Sequence, residues 1–172
     1  YTTPVEVEQT TNLLARAIQG IDTSVVVCHR ILKIDHNWRL TLASLPDNQY
    51  SAGGSQALID GLVGRADYRS GEWQGFWGED CVATIDLGQV ERVERVQVRA
   101  LHEIKPWIWS PRRVIFSASE DGRDFDVVAI VNTTVAEDDT EIQIERFNCN
   151  KPFDTRYVQI EAQGHGPIPQ WH

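Results

Sequence analysis

The chain has 172 residues, 41% hydrophobic and 24% charged, which is enough for about one well-buried core and too short for a multi-domain enzyme. No apolar run approaches the ~18 residues of a membrane span, so a spanning segment is excluded. The 16 basic and 25 acidic side chains leave a net charge of −9, a field that repels phosphate backbones and anionic membranes and argues against nucleic acid as a partner.

The sequence contains no Met and no signal-like start, and it reads as a piece of a longer protein whose targeting signals lie elsewhere. Val and Ile number 31 against 10 Leu, and β-branched side chains fit a pleated surface better than a helix. Residues 1–34 hold three strand-like runs, around Val5 and Val7, at 13–18 and at 24–34. A segment of that size falls below the ~40 residues that fold unaided, so it is expected to pair either with the main domain, taken as residues 35–172, or with a part of the protein outside this sequence. Residues 46–54 are turn-forming and open that domain. Residues 55–62 predict one or two helical turns, stopped by Gly61 and Gly64. Period-two alternation then predicts strands at 83–87, 96–101, 113–118, 142–145 and 156–160. The continuous apolar run at 127–131 predicts a strand covered on both faces. Turn signals such as Asp86-Leu87-Gly88, Glu120-Asp121-Gly122 and Asn150-Lys151-Pro152 lie between these runs, at the spacing of an antiparallel sandwich.

Six Trp are the main chemical signal, and most fall in loops. Trp73, Phe76 and Trp77 lie within residues 71–78, Trp107 and Trp109 within 105–111, and Trp171 beside His172. An indole at a loop tip offers a flat face to the C–H side of a sugar ring, while neighbouring His, Arg and Glu side chains can hydrogen-bond hydroxyls. The competing reading is packing, since Trp is well buried on average. Trp73 reads as structural. Trp77 and one of Trp107 or Trp109 are the better binding candidates, alternation placing the latter two opposite Ile108. Asp60-Gly61 is first of all a turn former, and such a turn can also cage Ca²⁺ with oxygens. Cys28, Cys81 and Cys149 are widely spaced and odd in number, which reads as inert thiols with one disulfide left open. Asp138, Asp139 and Glu141 read as a solvated loop. No catalytic spacing such as HExxH or GxSxG occurs, and His102 with Glu103 suits hydrogen bonds to ligand hydroxyls better than acid–base catalysis.

Four segments in order, GGSQALIDG at 53–61, GEWQGF at 71–76, ATIDLG at 83–88 and FSASEDG at 116–122, resemble the coagulation-factor 5/8 type C, or discoidin-like, domain. The version resembled is the one at the C-terminus of bacterial family 20 β-hexosaminidases (chitobiases), and it covers about residues 40–172. Thr10-Thr11 and Ala15-Arg16-Ala17 resemble the tail of the small immunoglobulin-like chitobiase C-terminal domain that precedes it. The resemblance implies an all-β jelly-roll, a galactose-binding-domain-like antiparallel sandwich of about eight main strands, with the last strand falling beyond His172. It implies a structural Ca²⁺ held by the Ala57 carbonyl, the Asp60 side chain and the Leu62 carbonyl. Like family 32 carbohydrate-binding modules, it implies a loop site for galactose or N-acetylhexosamine-type glycans, here at Trp77, His102, Glu103, Trp107, Trp109 and Arg112. The expected function is a non-catalytic accessory module holding a periplasmic, cell-surface or secreted bacterial hexosaminidase on its substrate. The alternatives are a domain that packs on the parent catalytic domain without binding free sugar, and a lipid-headgroup binder, which the net charge disfavours.

Overall fold

The computed structural model describes residues 4–166. These fall into two compact units, Tyr1–His36 and Asn37–His172. In the first, β1 (Thr11–Ala15) pairs antiparallel with β4 (Val27–Ile31), and β2 (Ile18–Gln19) pairs with β3 (Asp22–Thr23) across Gly20. A two-stranded ribbon has no second layer to bury its apolar residues, and Leu14, Ile18, Ile21 and Val25 are all exposed on this unit.

The second unit is an all-β antiparallel sandwich. Its strands are β5 (Arg39–Leu42), β6 (Cys81–Val93), β7 (Val96–His102), β8 (Arg113–Ser119), β9 (Asp126–Asn132), β10 (Gln143–Cys149) and β11 (Phe153–Gln163). Five of them form one sheet in the order β5-β6-β11-β8-β9, and β7 pairs with β10 in a two-stranded sheet. Val114 and Phe116 from β8 meet Phe147 and Cys149 from β10, all four essentially inaccessible to solvent. Val96, Val98 and Ala100 of β7, and Phe153, Ile160 and Ala162 of β11, close around them. Period-two alternation produces this layer, because each strand sends every second side chain inward. No helix among the described residues is long and apolar enough to cross a membrane.

The described residues hold seven main strands in this unit, in keeping with the expected all-β sandwich of about eight. The structure departs from the sequence expectations elsewhere. Residues 127–131 do form a strand, but β9 lies at the end of its sheet, so only Val128, Ala129 and Val131 face the core while Val127 and Ile130 are exposed. Asp86-Leu87-Gly88 is an irregularity within the 13-residue β6 instead of a turn between strands. Asp86 Oδ1 accepts the Gly88 N–H at 2.8 Å, and Gly88 takes φ +89°, so the extra residues are absorbed opposite the register shift between Thr155 and Tyr157. The helix at 55–62 shrinks to a single 3₁₀ turn at Ala57–Ile59.

Arg156 occupies that register shift and grips Asp86 with two hydrogen bonds, Nε to Oδ1 at 2.9 Å and Nη2 to Oδ2 at 3.1 Å. The Arg156 hydrogen bonds, together with the Gly88 amide, hold the Asp86 carboxyl below its ordinary 3.8. A carboxylate with a lowered folded-state pKa stabilises the fold at pH above the ordinary carboxylate range, and that contribution disappears as pH falls through the folded value. The Arg156→Gln variant is therefore expected to unfold at higher pH on acidification than the parent. The stability gap between the two, measured by urea denaturation, should narrow from about pH 7 to about pH 2; a constant gap would remove the pair from the acid response.

Candidate functional site

The registers Ala162↔Cys81, Gln163↔Arg113, Arg113↔Asn132 and His102↔Gln143 bring the starts of β6, β8 and β10 beside the ends of β7, β9 and β11. Three loops converge there: 71–80 leading into β6, 103–112 between β7 and β8, and 133–142 between β9 and β10. The 133–142 loop is strapped down from both sides. The buried Glu145 carboxylate accepts Thr133 Oγ1–H at 2.7 Å, Thr134 N–H at 2.7 Å and Thr134 Oγ1–H at 3.2 Å. Gln143 Nε2–H donates to Asp139 Oδ2 at 2.7 Å, and Glu141 N–H to Asp139 Oδ1 at 2.9 Å. The acidic run expected to be merely solvated thus contains a structural carboxylate, Asp139.

The candidates in the 103–112 loop are largely consumed by this architecture. His102 is 1% exposed and its Nε2 lies 3.0 Å from the Asp139 carbonyl, so its ring straps the loop and cannot meet a ligand hydroxyl at the surface. Glu103 is half-buried, and its main chain pairs with Ile108 in both directions, Glu103 N–H to Ile108 O at 2.8 Å and Ile108 N–H to Glu103 O at 3.1 Å. Within that bridge, the Trp107 N–H closes a turn on the Ile104 carbonyl at 3.0 Å, and Trp107 sits at φ +68°, the left-handed region a bulky side chain rarely adopts. Trp107 and Trp109 pack edge to face with ring centroids 5.4 Å apart. Trp109 Nε1–H donates to the Glu137 carbonyl at 3.0 Å, fixing that indole against the 133–142 loop. Arg112 is exposed, and its Nε–H donates to the Gly164 carbonyl at 2.6 Å.

The 71–80 loop differs. Trp73 is structural, as expected: Nε1–H donates to the Arg65 carbonyl at 2.8 Å, and its ring lies flat beneath Gly64. Beside it, burial works to raise the Glu72 pKa, but hydrogen bonds from the Arg65 side chain and main chain outweigh that and hold it below its usual value. Trp77 is 64% exposed, against 37% for Trp38, while Trp73, Trp107 and Trp109 are half-buried. Its loop is tied to the end of β11 through Asp80, whose Oδ1 accepts the Gly164 N–H at 2.8 Å and whose carbonyl accepts Ser44 Oγ–H at 2.6 Å. Trp171 and His172 lie outside the described residues.

His165 was not singled out by the sequence and belongs to this end of the sandwich. Its Nε2 lies 3.1 Å from the Ser110 carbonyl, and its ring centroid is 6.5 Å from that of Trp109. No motif marks it, because the residues it meets are brought to it by strand topology alone.

At the turn after Ala57–Ile59, Asp60 Oδ1 accepts the Leu62 N–H at 2.8 Å and Gly61 takes φ +77°. Oδ2 and main-chain carbonyls remain as hard oxygen donors, a set whose chemistry fits Ca²⁺. No group of three or more His, Cys, Asp or Glu side chains is placed to hold a metal among the described residues. All three cysteines are free; burial pushes the Cys81 thiol up to about 11, which keeps it protonated and unreactive.

No protein-family profile matches the chain, and no curated relative does either. Among solved structures, the chain is similar to a GH29 fucosidase from Ruminococcus gnavus in complex with fucose, with TM-score 0.50 and 12% identity over 75% of this chain and 22% of that one. It is also similar to a family 32 carbohydrate-binding module from Clostridium perfringens in complex with galactose (TM-score 0.48, 16% identity, 75% of this chain and 85% of that one). A third is the C-terminal domain of a chitobiase from Bacteroides fragilis (TM-score 0.42, 19% identity, 75% of this chain and 83% of that one). The likeness is one of fold, the β-sandwich described above.

A Cβ at Gly64 would lie 2.4 to 2.7 Å from three Trp73 ring carbons, closer than real contacts come. Gly64→Ala should therefore lower the melting temperature and change the near-ultraviolet circular dichroism of Trp73, a cost of about 1–3 kcal/mol typical of overpacking. An unchanged melt and spectrum would show that the indole has room to move.

Proposed function

We propose that this chain is a non-catalytic carbohydrate-binding accessory module of an exported bacterial glycoside hydrolase, a β-N-acetylhexosaminidase, and that it holds the enzyme on glycan substrate. The observation that carries this reading is the 64% exposed Trp77 indole, on a loop braced by Asp80 and Ser44 at the end of the sandwich. An exposed indole is a ready platform for the apolar face of a pyranose, and bracing of its loop lowers the entropy lost on binding. Arg112, exposed at the same end, has guanidinium donors beyond the one given to Gly164 and would supply hydrogen bonds to hydroxyls. The four-segment resemblance to discoidin-like domains supports the reading, as does a sandwich shared with part of a fucosidase chain. Weak affinity suffices when the module is linked to its enzyme, since attachment converts a second encounter into an intramolecular one. Residues 1–34 would continue the preceding immunoglobulin-like domain, and the parent would be periplasmic, surface-bound or secreted.

A second reading is favoured by the inward commitment of Trp107 and Trp109: the loops serve packing, and the unit docks on its own catalytic domain. Titration with galactose, N-acetylgalactosamine and N-acetylglucosamine separates the two. Glycan binding at Trp77 predicts amide shifts across residues 71–80 and at least a roughly tenfold loss of affinity in Trp77→Ala with an unchanged melting temperature, the loss corresponding to about 1.4 kcal/mol. No glycan-induced shift, with Trp77 becoming protected when the catalytic domain is added, would establish the docking role instead.

We also infer that Asp60, with the Ala57 and Leu62 carbonyls, holds a structural calcium ion that pins the turn between β5 and β6. Chelation should then lower the melting temperature, calcium should restore it, and Asp60→Ala should abolish both responses. A melt indifferent to chelator would take Asp60 out of any metal site.

A further inference from the structure

Beside the 71–80 loop, and sharing its Gly71 and Trp73, the segments before β6 form a cleft of about 540 Å³ lined also by Gln49, Tyr50, Ser51, Ala52, Gly53, Tyr68 and Arg69. Its volume lies in the range of about 300–1,000 Å³ occupied by small-molecule sites. Tyr50 and Tyr68 meet edge to face, ring centroids 6.3 Å apart at 61°, so the walls present aromatic surface. The Arg69 guanidinium lies over Tyr68, with Cζ 4.2 Å from the ring centroid. Stacking occupies one flat face of the guanidinium and leaves the N–H donors of its edge available for hydrogen bonds.

Two features make the cleft a built one. Its floor is held by two main-chain bonds, Tyr50 N–H to Asp47 O at 2.9 Å and Gly75 N–H to Tyr50 O at 3.0 Å, and by the Gln74 side chain, whose Nε2–H donates to Gly54 O at 3.0 Å. Ala52 is held at φ +47°, ahead of Gly53 at +88° and Gly54 at +120°, a run of left-handed backbone that a non-glycine residue enters only at a cost of about 1–2 kcal/mol. Gly53 and Gly71 stand at the lips, and a Cβ on either would meet nothing within 4 Å, so the mouth is open.

The charge is also informative. In a chain of net charge −9, Arg69 meets no carboxylate within ion-pair distance among the described residues. The neighbouring Asp67 turns its carboxylate to the Arg69 main-chain N–H at 2.9 Å instead. A stacked guanidinium with an open edge is matched in geometry by a carboxylate, which accepts two parallel N–H bonds.

We propose that this cleft is a second ligand site, distinct from Trp77, and that it takes a carboxylated sugar of the uronic acid class. The carboxylate meets the open edge of Arg69, the ring lies against Tyr50 and Tyr68, and the Gln49 side chain reaches hydroxyls at the rim. The choice of a sugar rests on the glycan reading given above; the choice of an anion rests on Arg69 alone.

The test is titration of the full chain with D-glucuronate, D-glucose and acetate, followed by amide resonances. Glucuronate should shift Tyr50, Tyr68 and Arg69, and Arg69→Gln should weaken that response at least tenfold without changing the melting temperature. Glucose and acetate at the same concentration should leave these resonances in place. The proposal is overturned if glucose shifts them as strongly as glucuronate does, if acetate alone reproduces the shifts, or if Arg69→Gln binds glucuronate as the parent does. Trp77→Ala separates the two sites: it should abolish galactose binding and leave the glucuronate response intact. Galactose failing to bind while glucuronate shifts the cleft would remove the Trp77 site and keep this one.

Discussion

The second unit stands on one apolar layer, where Phe147 and Cys149 of a two-stranded ribbon meet Val114 and Phe116 of a five-stranded sheet. A ribbon of two strands is marginal in water, so β7 and β10 hold their shape only while that layer stays closed. Each fully buried Phe contributes about 1.5–3 kcal/mol relative to an exposed one, and the two sit on opposite sides of the same contact. The positions of the ribbon's ends therefore depend on side chains in the middle of it. From there the constraint passes to the loops through Glu145, one step along β10 from the core. A buried carboxylate is costly unless it is hydrogen-bonded, and the donors it has are Thr133 and Thr134, the first residues of the 133–142 loop.

That loop then decides which aromatic side chains remain available. Its carbonyls at Asp139 and Glu137 meet His102 and the Trp109 indole, and each hydrogen bond converts a candidate binding group into a brace. Trp107 is packed against Trp109 and held at a positive φ that a free loop would relax, so the bridge between Glu103 and Ile108 together with the indole pair must outweigh the strain. On the 71–80 loop, Trp77 remains 64% exposed. The same rigidity that withdraws two indoles from solvent keeps the end of the sandwich from collapsing around the third.

The strands were legible because a sheet with one buried face writes itself as alternation, and the runs at 96–101 and 113–118 lie inside β7 and β8. Where apolarity was continuous, as at 127–131, composition carried no information on what covers the outer face, and β9 proved to be an edge. Asp86-Leu87-Gly88 carries the same local chemistry whether it ends a strand or kinks one; the partner strand β11, about 70 residues on, makes the difference. The loops were located by their Trp content, but the fate of each ring was set at long range. Trp109 and Glu137 are 28 residues apart, and His102 and Asp139 are 37 apart. The aromatic cleft was invisible for the same reason: Tyr50 and Tyr68 belong to separate turns, and the turn of Tyr50 is tied to residues 74–75, beyond Tyr68, by main-chain bonds and by the Gln74 side chain.

The two proposed sites are also constrained relative to one another by covalent reach. Trp73 forms part of the cleft wall and Trp77 carries the outer platform, four residues further along the same loop. At no more than about 3.6 Å per residue, their backbones lie within roughly 14 Å. The acidic ring is placed at Arg69, eight residues before Trp77, so the covalent bound on the backbone span between the two proposed sites is about 29 Å, the reach of an oligosaccharide with one neutral ring on the indole and one acidic ring at Arg69. Two weak contacts joined in one ligand reinforce each other through effective concentration, without any further contact being added. This coupling would discriminate by sequence of sugars along the chain, since a glycan with its charge on the wrong unit could fill only one position at a time. The net charge of −9 disfavours anions in general, and the Arg69 guanidinium offsets that charge locally.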